Sequence, residues 1–329
     1  MTADIGRYVL ALSGAVTLAG CSLPASLVTT PRNPQILKSF AASYVPAGRD
    51  AGASWILPEA TSQDLLYISD AKTVSIYGYP QGNLVGILKR FYLPAGMCVD
   101  KSGDVFIVDT GYAKIFEYAH GGKKRLSTLA SPTRDPVGCA VDPVTGNLAV
   151  GSEGFGSSPT VAVFKSARGK PTTYEDSAFY QFYFCGYDDG DLFIDGITAP
   201  GSGHFGVAEL GKGRSSLHNV TVDEYVTFPG GVQWDGKYLA IGDQLNNVYE
   251  FAISGYQGKA VGTTRFESGA RYVKQFWIQN DVIIAPNVYK KHARSNVLLF
   301  DYPTGGKAFM KITDGVSDAQ GAVVSLAPK

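Results

Sequence analysis

Short apolar runs separated by polar turns recur along the chain from Leu65 to its C-terminus. One kind of turn closes six of these runs at intervals of forty-odd residues. It reads YPQG at 79–82, YAHGG at 118–122, FKSARG at 164–169, ELGKG at 209–213, ISGYQG at 253–258 and YPTGG at 302–306. Each copy follows one apolar run and precedes another, so each reads as the turn of a β-hairpin. Self-similarity at this period points to a propeller or a solenoid.

Superposing the six turns exposes four strands per repeat, called a to d in chain order. The a strands read AGMCVD 95–100, VGCAVD 137–142, YFCGYD 183–188, GGVQWD 230–235, KQFWIQ 274–279 and GAVVSL 321–326. Four of them close on Asp100, Asp142, Asp188 and Asp235, and Gln279 and Ser325 hold the equivalent places. The b strands read LLYISD 65–70, DVFIVD 104–109, NLAVGS 147–152, LFIDG 192–196, YLAIGD 238–243 and VIIAPN 282–287. The c strands lead into the recurring turn and the d strands leave it.

The two ends of the repeat array decide between the architectures. The first strand, 65–70, is a b strand with no clear a strand before it, and the last, 321–326, is an a strand with no b strand after it. A linear array leaves both as unpaired edges; a ring pairs them. The expectation is an all-β, six-bladed propeller of four-stranded antiparallel blades, closed by the C-terminal strand on the N-terminal blade. The segment SWILP at 54–58 lacks the turn motif, and is expected as a cap or an added strand, not as a seventh blade.

Lys and Arg number 29 and Asp and Glu number 29. No net field therefore draws nucleic acid or an anionic membrane surface, and nucleic acid is not an expected partner. Hydrophobic residues at 45%, with 12% aromatics, suffice for one large core, so residues 54–329 are expected to form a single domain. Ahead of it, Arg7 precedes an apolar stretch from Tyr8 to Gly20, too short to span a bilayer and suited to the h-region of a signal peptide. It ends in Leu18-Ala19-Gly20-Cys21, which resembles the bacterial lipobox. That resemblance implies removal of residues 1–20 and acylation of Cys21, with the lipid as the only membrane contact. Ser22, where the sorting rule looks for Asp, implies an extracytoplasmic address at the outer membrane of the cell envelope. Residues 21–53, with Pro24, Pro31, Pro34 and Pro46, read as a flexible tether.

Residues 94–118 combine P-x-G-x-x-V-D, a Gly turn and VFIVDTG before a strand ending in an aromatic. This resembles the NHL-type six-bladed propeller repeat; 136–165 and 229–253 match it partly, and the likeness extends loosely to the gluconolactonase and regucalcin-like propellers. The resemblance implies that strand a lies nearest the axis. It also implies that ligands meet the face carrying the b–c loops and the d-to-a connections. On that face stand Arg134, Asp135, Tyr183, Phe228 and Tyr272, the candidate binding residues. Tyr92, Tyr180, Tyr225 and Arg271 belong to the same belt.

Catalytic sets are sparse. His120 and His218 fall away from that face, and His204 and His292 lie two repeats apart, too scattered for a metal centre. Asp70, Asp109, Asp195 and Asp243 end b strands, which leaves two readings: a divalent-cation site, or turn-capping acceptors. The carboxylates that a gluconolactonase-like metal site needs at the starts of the a strands are missing, with Asp135 alone coming near. GSEGFG 151–156 leads into a strand, so it is no phosphate cradle. Cys98, Cys139 and Cys185 lie on consecutive a strands. Cys98 is shifted by one register from the other two, so it and Cys139 could face each other across one blade interface. Packed sheets lie about 10 Å apart whereas a disulfide needs Cα atoms within about 7 Å, so three free thiols filling the inter-blade core are the expectation and a Cys98–Cys139 pair the alternative. The function expected is a lipid-anchored, non-catalytic binding or scaffold module for a glycan, peptide or protein partner, needing no cofactor. The alternative is a metal-dependent lactonase or esterase-type hydrolase using a divalent cation.

Overall fold

The apolar runs form strands where the repeats place them. A computed structural model of the protein describes residues 52–154, 158–198, 204–267, 270–288 and 295–328. Cys21 and its lipobox, nearly all of the tether, part of the 151–156 loop and His292 lie outside the described residues.

The first repeat contributes β1 (Trp55–Ile56), β2 (Leu65–Asp70), β3 (Thr73–Gly78) and β4 (Leu84–Leu88). The second supplies β5 (Pro94–Val99), β6 (Val105–Asp109), β7 (Lys114–Tyr118) and β8 (Arg125–Ala130). Then come β9 (Pro136–Val141), β10 (Leu148–Ser152), β11 (Thr160–Phe164) and β12 (Thr172–Tyr174). The fourth repeat holds β13 (Gln181–Tyr187), β14 (Leu192–Ile197), β15 (Phe205–Leu210) and β16 (His218–Val222). The fifth holds β17 (Val232–Trp234), β18 (Leu239–Gly242), β19 (Asn247–Ser254) and β20 (Gln257–Arg265). Last are β21 (Trp277–Gln279), β22 (Val282–Asn287), β23 (Asn296–Asp301), β24 (Gly305–Ile312) and β25 (Ala319–Ser325).

Three sheets have four antiparallel strands each. An eight-stranded sheet is two such units, joined only where β16 and β20 run parallel, Thr221 opposite Gln257 and Val222 opposite Gly258. The remaining sheet has the order β1-β4-β3-β2-β25. Here β25, from the far end of the chain, pairs with β2 from Leu65↔Ser325 to Asp70↔Ala319. The residues around Trp55 add a short outer strand on β4 and start no unit of their own.

The innermost strands also neighbour one another in cyclic order. β25 packs on β5, β5 on β9, β9 on β13, β13 on β17, and β21 returns to β25; Gly231 N–H donates to the Lys274 carbonyl to join the last two units. Apolar clusters fill the spaces between consecutive units, as with Tyr67, Val105 and Phe116 at one and Phe193, Val207 and Phe251 at another. Strands with a sheet on either side are buried on both faces, so β2, β6, β10 and β14 are buried at every residue. Outer strands such as β20 and β24 alternate because one face meets water.

The cysteine expectation is overturned. Cys98 and Cys139 form a disulfide, with Cα atoms 5.6 Å apart, and Cys185 is the free, buried thiol among the described residues. The 10 Å spacing belongs to the middle of stacked sheets. Near the axis the inner strands of successive units converge, which brings Cα atoms into disulfide range. Burial pushes the Cys185 thiol up to about 12, so it behaves as a core side chain.

Candidate functional site

The site is set by an irregularity that sequence alone conceals. In four units the pairing of strands a and b slips at the start of the a strand: between Pro94 and Met97, Gly151 and Ser152, Phe182 and Cys185, and Ser69 and Asp70. Such β-bulges leave an unpaired residue and re-aim its side chain. Counting back from the closing residue of each a strand, the fifth place holds Ala95, Val137, Tyr183, Gly230, Lys274 and Gln320. Ala95, Val137, Lys274 and Gln320 line a cavity of about 300 Å³ at the axial mouth, with Leu93, Pro94, Thr110, Asp135 and Glu153 around them.

The fourth place back explains the floor of this cup. It carries Gly96, Gly138, Gly231 and Gly321, but Phe184 and Gln275 in the other two units. Gln275 reaches across the inner strand β25 to β5 beyond it: its Nε2 donates to the Met97 carbonyl at 2.7 Å, and its Oε1 accepts from Met97 N–H at 2.9 Å. On the way it passes over Gly321, where a Cβ would collide with its Oε1. A Cβ on Gly138 would lie 2.7 Å from the Phe184 ring. Gly138 and Gly321 therefore make room for two large side chains, Phe184 lining this cavity and Gln275 lining a second one of about 220 Å³ together with Cys98, Cys139, Trp234 and Trp277.

Three ionisable groups line the cup: Asp135, Glu153 and Lys274. Burial pushes the Glu153 carboxyl up to about 7, with Lys274 opposing and Asp135 reinforcing the shift. The Glu153 backbone N–H donates to the Asp135 carbonyl at 3.1 Å, which keeps the two segments together. Asp135 and Tyr272 hold the same place in their repeats, and both take left-handed backbone, φ 57° and 58°, a conformation that Asp accepts more readily than Tyr.

The candidate residues divide. Asp135 lines the cup. Tyr183 is buried, not a rim residue; its hydroxyl bonds Gln181 Oε1 at 3.1 Å and its ring meets Phe228 edge-on at 5.3 Å. Burial, then Glu153 and Asp195, push its phenol well up. Arg134 is exposed, and its carbonyl accepts from the Ser152 hydroxyl at 2.5 Å. Tyr272 is exposed on the same connection as Lys274. The sequence reading missed Glu153, Lys274 and Gln320. Glu153 follows directly on a b strand, where the other repeats carry Ala71, Thr110, Gly196, Gln244 and Val288; that contrast is a usable signal.

The b-strand aspartates do not converge on a cation. Asp109 accepts from the N–H groups of Tyr92, Leu93 and Tyr112, and Asp70 from Ser317 and Asp318. Asp243 holds Leu245 and Asn247 in its own turn. Asp195 takes the Phe184 N–H at 2.8 Å; its Oδ2 has no partner, and burial raises its pKa well above the carboxylate range. Ser152 and Asn287 do the equivalent tying in the repeats without Asp. Asp70, Asp109, Ser152 and Asn287 fasten the connection entering the a strand to the end of the b strand, whereas Asp195 ties the a strand itself and Asp243 caps its own turn. Among the described residues no three His, Cys, Asp or Glu side chains gather as a metal site requires.

No protein-family model matches the chain, and no curated protein matches it in sequence. Its fold is nonetheless shared. One chain from the crystal structure of a nidogen/laminin complex superposes with TM-score 0.64 at 11% identity, covering 81% of this chain and 100% of that one. A protein of unknown function from Bacteroides caccae superposes with TM-score 0.57 at 12% identity, covering 80% and 99%. At such identities the likeness shows the fold, a β-propeller, and leaves the ligand to the site.

Proposed function

We propose that the chain is a six-bladed, NHL-type propeller acting as a non-catalytic binding module, held on the extracytoplasmic side of the cell envelope by acyl chains on Cys21. The six blades are the three four-stranded sheets, the two halves of the eight-stranded sheet and the sheet closed by β25. The ligand meets the axial mouth, and no cofactor is invoked. One observation carries this reading: the mouth is a cup lined by Phe184 and by residues that differ from blade to blade. Such a cavity, small and with a few converging polar groups, is the usual form of a ligand site. Its ionisable groups include no nucleophile hydrogen-bonded to a base, which supports binding over covalent chemistry.

The test uses the full mature chain on arrays of immobilised glycans and peptides, beside the variant Asp135→Asn/Lys274→Met. Wild type is expected to be retained by one ligand class and the variant to lose at least tenfold. Retention by neither class, equal retention of both proteins, or a metal-dependent lactonase or esterase activity in the wild type overturns the reading. The anchor is checked separately. Cys21→Ala should leave unprocessed precursor and abolish incorporation of labelled palmitate; processing and labelling as in wild type would remove it from the proposal.

A further inference from the structure

Beside the cup, outside its lining, two tyrosines stand on the same face with their rings in water. Tyr92 is 57% and Tyr112 50% exposed, and their centroids lie 5.7 Å apart with planes inclined at 42°. Neither is loose. Buried Asp109 accepts from the backbone N–H groups of Tyr92, Leu93 and Tyr112 at 2.8, 3.1 and 3.0 Å, so one carboxylate fastens both segments. The Tyr92 ring lies directly over Gly111, where any Cβ would collide with it. Tyr112 rests edge-on against Phe116 at 6.5 Å. The platform adjoins the cup through Leu93 and Thr110, chain neighbours of Tyr92 and Tyr112 that line it.

We infer that the mouth binds a neutral oligosaccharide, with one sugar ring in the cup and the adjoining ring stacked on the platform of Tyr92 and Tyr112. The inference rests on the mouth being a binding site. Rigid exposed tyrosines offer a large amphipathic contact at low entropic cost, and the C–H face of a pyranose is a flat apolar surface that matches them. The hydroxyls of the same ring need acceptors and donors together, which Asp135, Glu153 and Lys274 provide around one cavity. A volume of about 300 Å³ lies at the small end of ligand pockets and suits a single ring, leaving the rest of a chain to cross the platform. Other polymers fit less well. The carboxylate of Asp135 in the cup repels phosphates, and the unpaired edge of the adjacent β5 is packed between β25 and β9 instead of lying open to a peptide.

The experiment is calorimetric titration of the full mature chain with maltohexaose, cellohexaose and chitohexaose. At least one should bind. Tyr92→Ala and Tyr112→Ala should each weaken it tenfold or more, while Tyr92→Phe stays within about twofold, because stacking uses the ring and not the hydroxyl. Retained affinity in both alanine variants overturns the platform. Failure of all three oligosaccharides overturns the sugar; if the peptide array still retains wild type and not the cup variant, the mouth itself stands. If neither array retains the protein, the mouth reading falls as well.

Discussion

On the face formed by the a–b turns, four carboxylates do one job. Asp100, Asp142, Asp188 and Asp235 each accept from the backbone N–H groups of the turn that follows, as in Asp100 with Ser102 and Asp104 and Asp235 with Lys237 and Tyr238. On the opposite face no one side-chain type holds the places just ahead of the a strands. The seventh place back holds Leu93, Asp135, Gln181, Phe228, Tyr272 and Asp318, and the fifth is equally mixed. A position repeated around a ring meets the same backbone in each blade, so its residue is fixed by turn geometry. Where the strands bulge into a shared cavity, no backbone group dictates the side chain, and residues are free to serve a ligand. The two ends of one channel thus separate structural from functional residues within a single chain.

That contrast can be broken by mutation, beginning with the largest effect. Asp142 is buried and holds Val144 N–H and the Thr145 hydroxyl, so Asp142→Ala should cost about 2 kcal/mol in chemical denaturation. Asp135→Asn, in the cup, should cost less than about 0.5 kcal/mol because Asn tolerates the same left-handed backbone. Equal losses at the two positions would end the division between faces.

Glu153 gives a subtler signal. Its folded pKa of about 7 lies above its ordinary value of 4.5, so between those values the folded state holds more proton than the unfolded. The stability linked to it is complete below pH 4.5 and is lost as pH rises through 7. Glu153→Gln, which cannot ionise, should therefore match wild type near pH 4 and be more stable by about 1 kcal/mol near pH 8, a figure reduced for the group's partial exposure. Melting curves across that range measure it. A pH-independent difference would show that the carboxyl is not desolvated in the cup. The smallest change in the set is expected for Tyr92→Ala, whose ring is already half in water: its melting temperature should stay within about 1 °C of wild type.

The strands, the antiparallel blades and the pairing of the chain's ends were legible because each rests on local patterning repeated many times. A single error in one repeat is corrected by the next. The cup was legible in part. Asp135 was singled out at its blade entry, where Leu93, Phe228 and Tyr272 hold the place in three other repeats though Gln181 and Asp318 hold it in two, and its position at the mouth follows from strand order. Tyr183 was misplaced because one residue of bulge turns a side chain from rim to core. Gln320 was passed over for the same reason: the bulge, which decides which residue of the a strand faces the cavity, has no signature in composition. Lys274 stands ahead of β21, in a unit without that slip, and its place at the cavity is set by how that connection packs.

Sequence by itself determined what depends on neighbours along the chain: where strands start, where turns fall and which aspartates cap them. Tertiary structure decided what depends on distance across the axis. Cys98 and Cys139 bond because inner strands converge to 5.6 Å between their Cα atoms, and Gln275 reaches Met97, 178 residues away in sequence, because the closed ring leaves one inner strand, β25, between their blades. Glycines at 96, 138, 231 and 321 look like ordinary strand weakeners in the sequence. Their purpose appears only in the ring, where Phe184 and Gln275 occupy the space left by Gly138 and Gly321, and the backbone of the neighbouring inner strand closes on Gly96 and Gly231. Convergence at an axis is a property of the closed ring, and no single blade contains it.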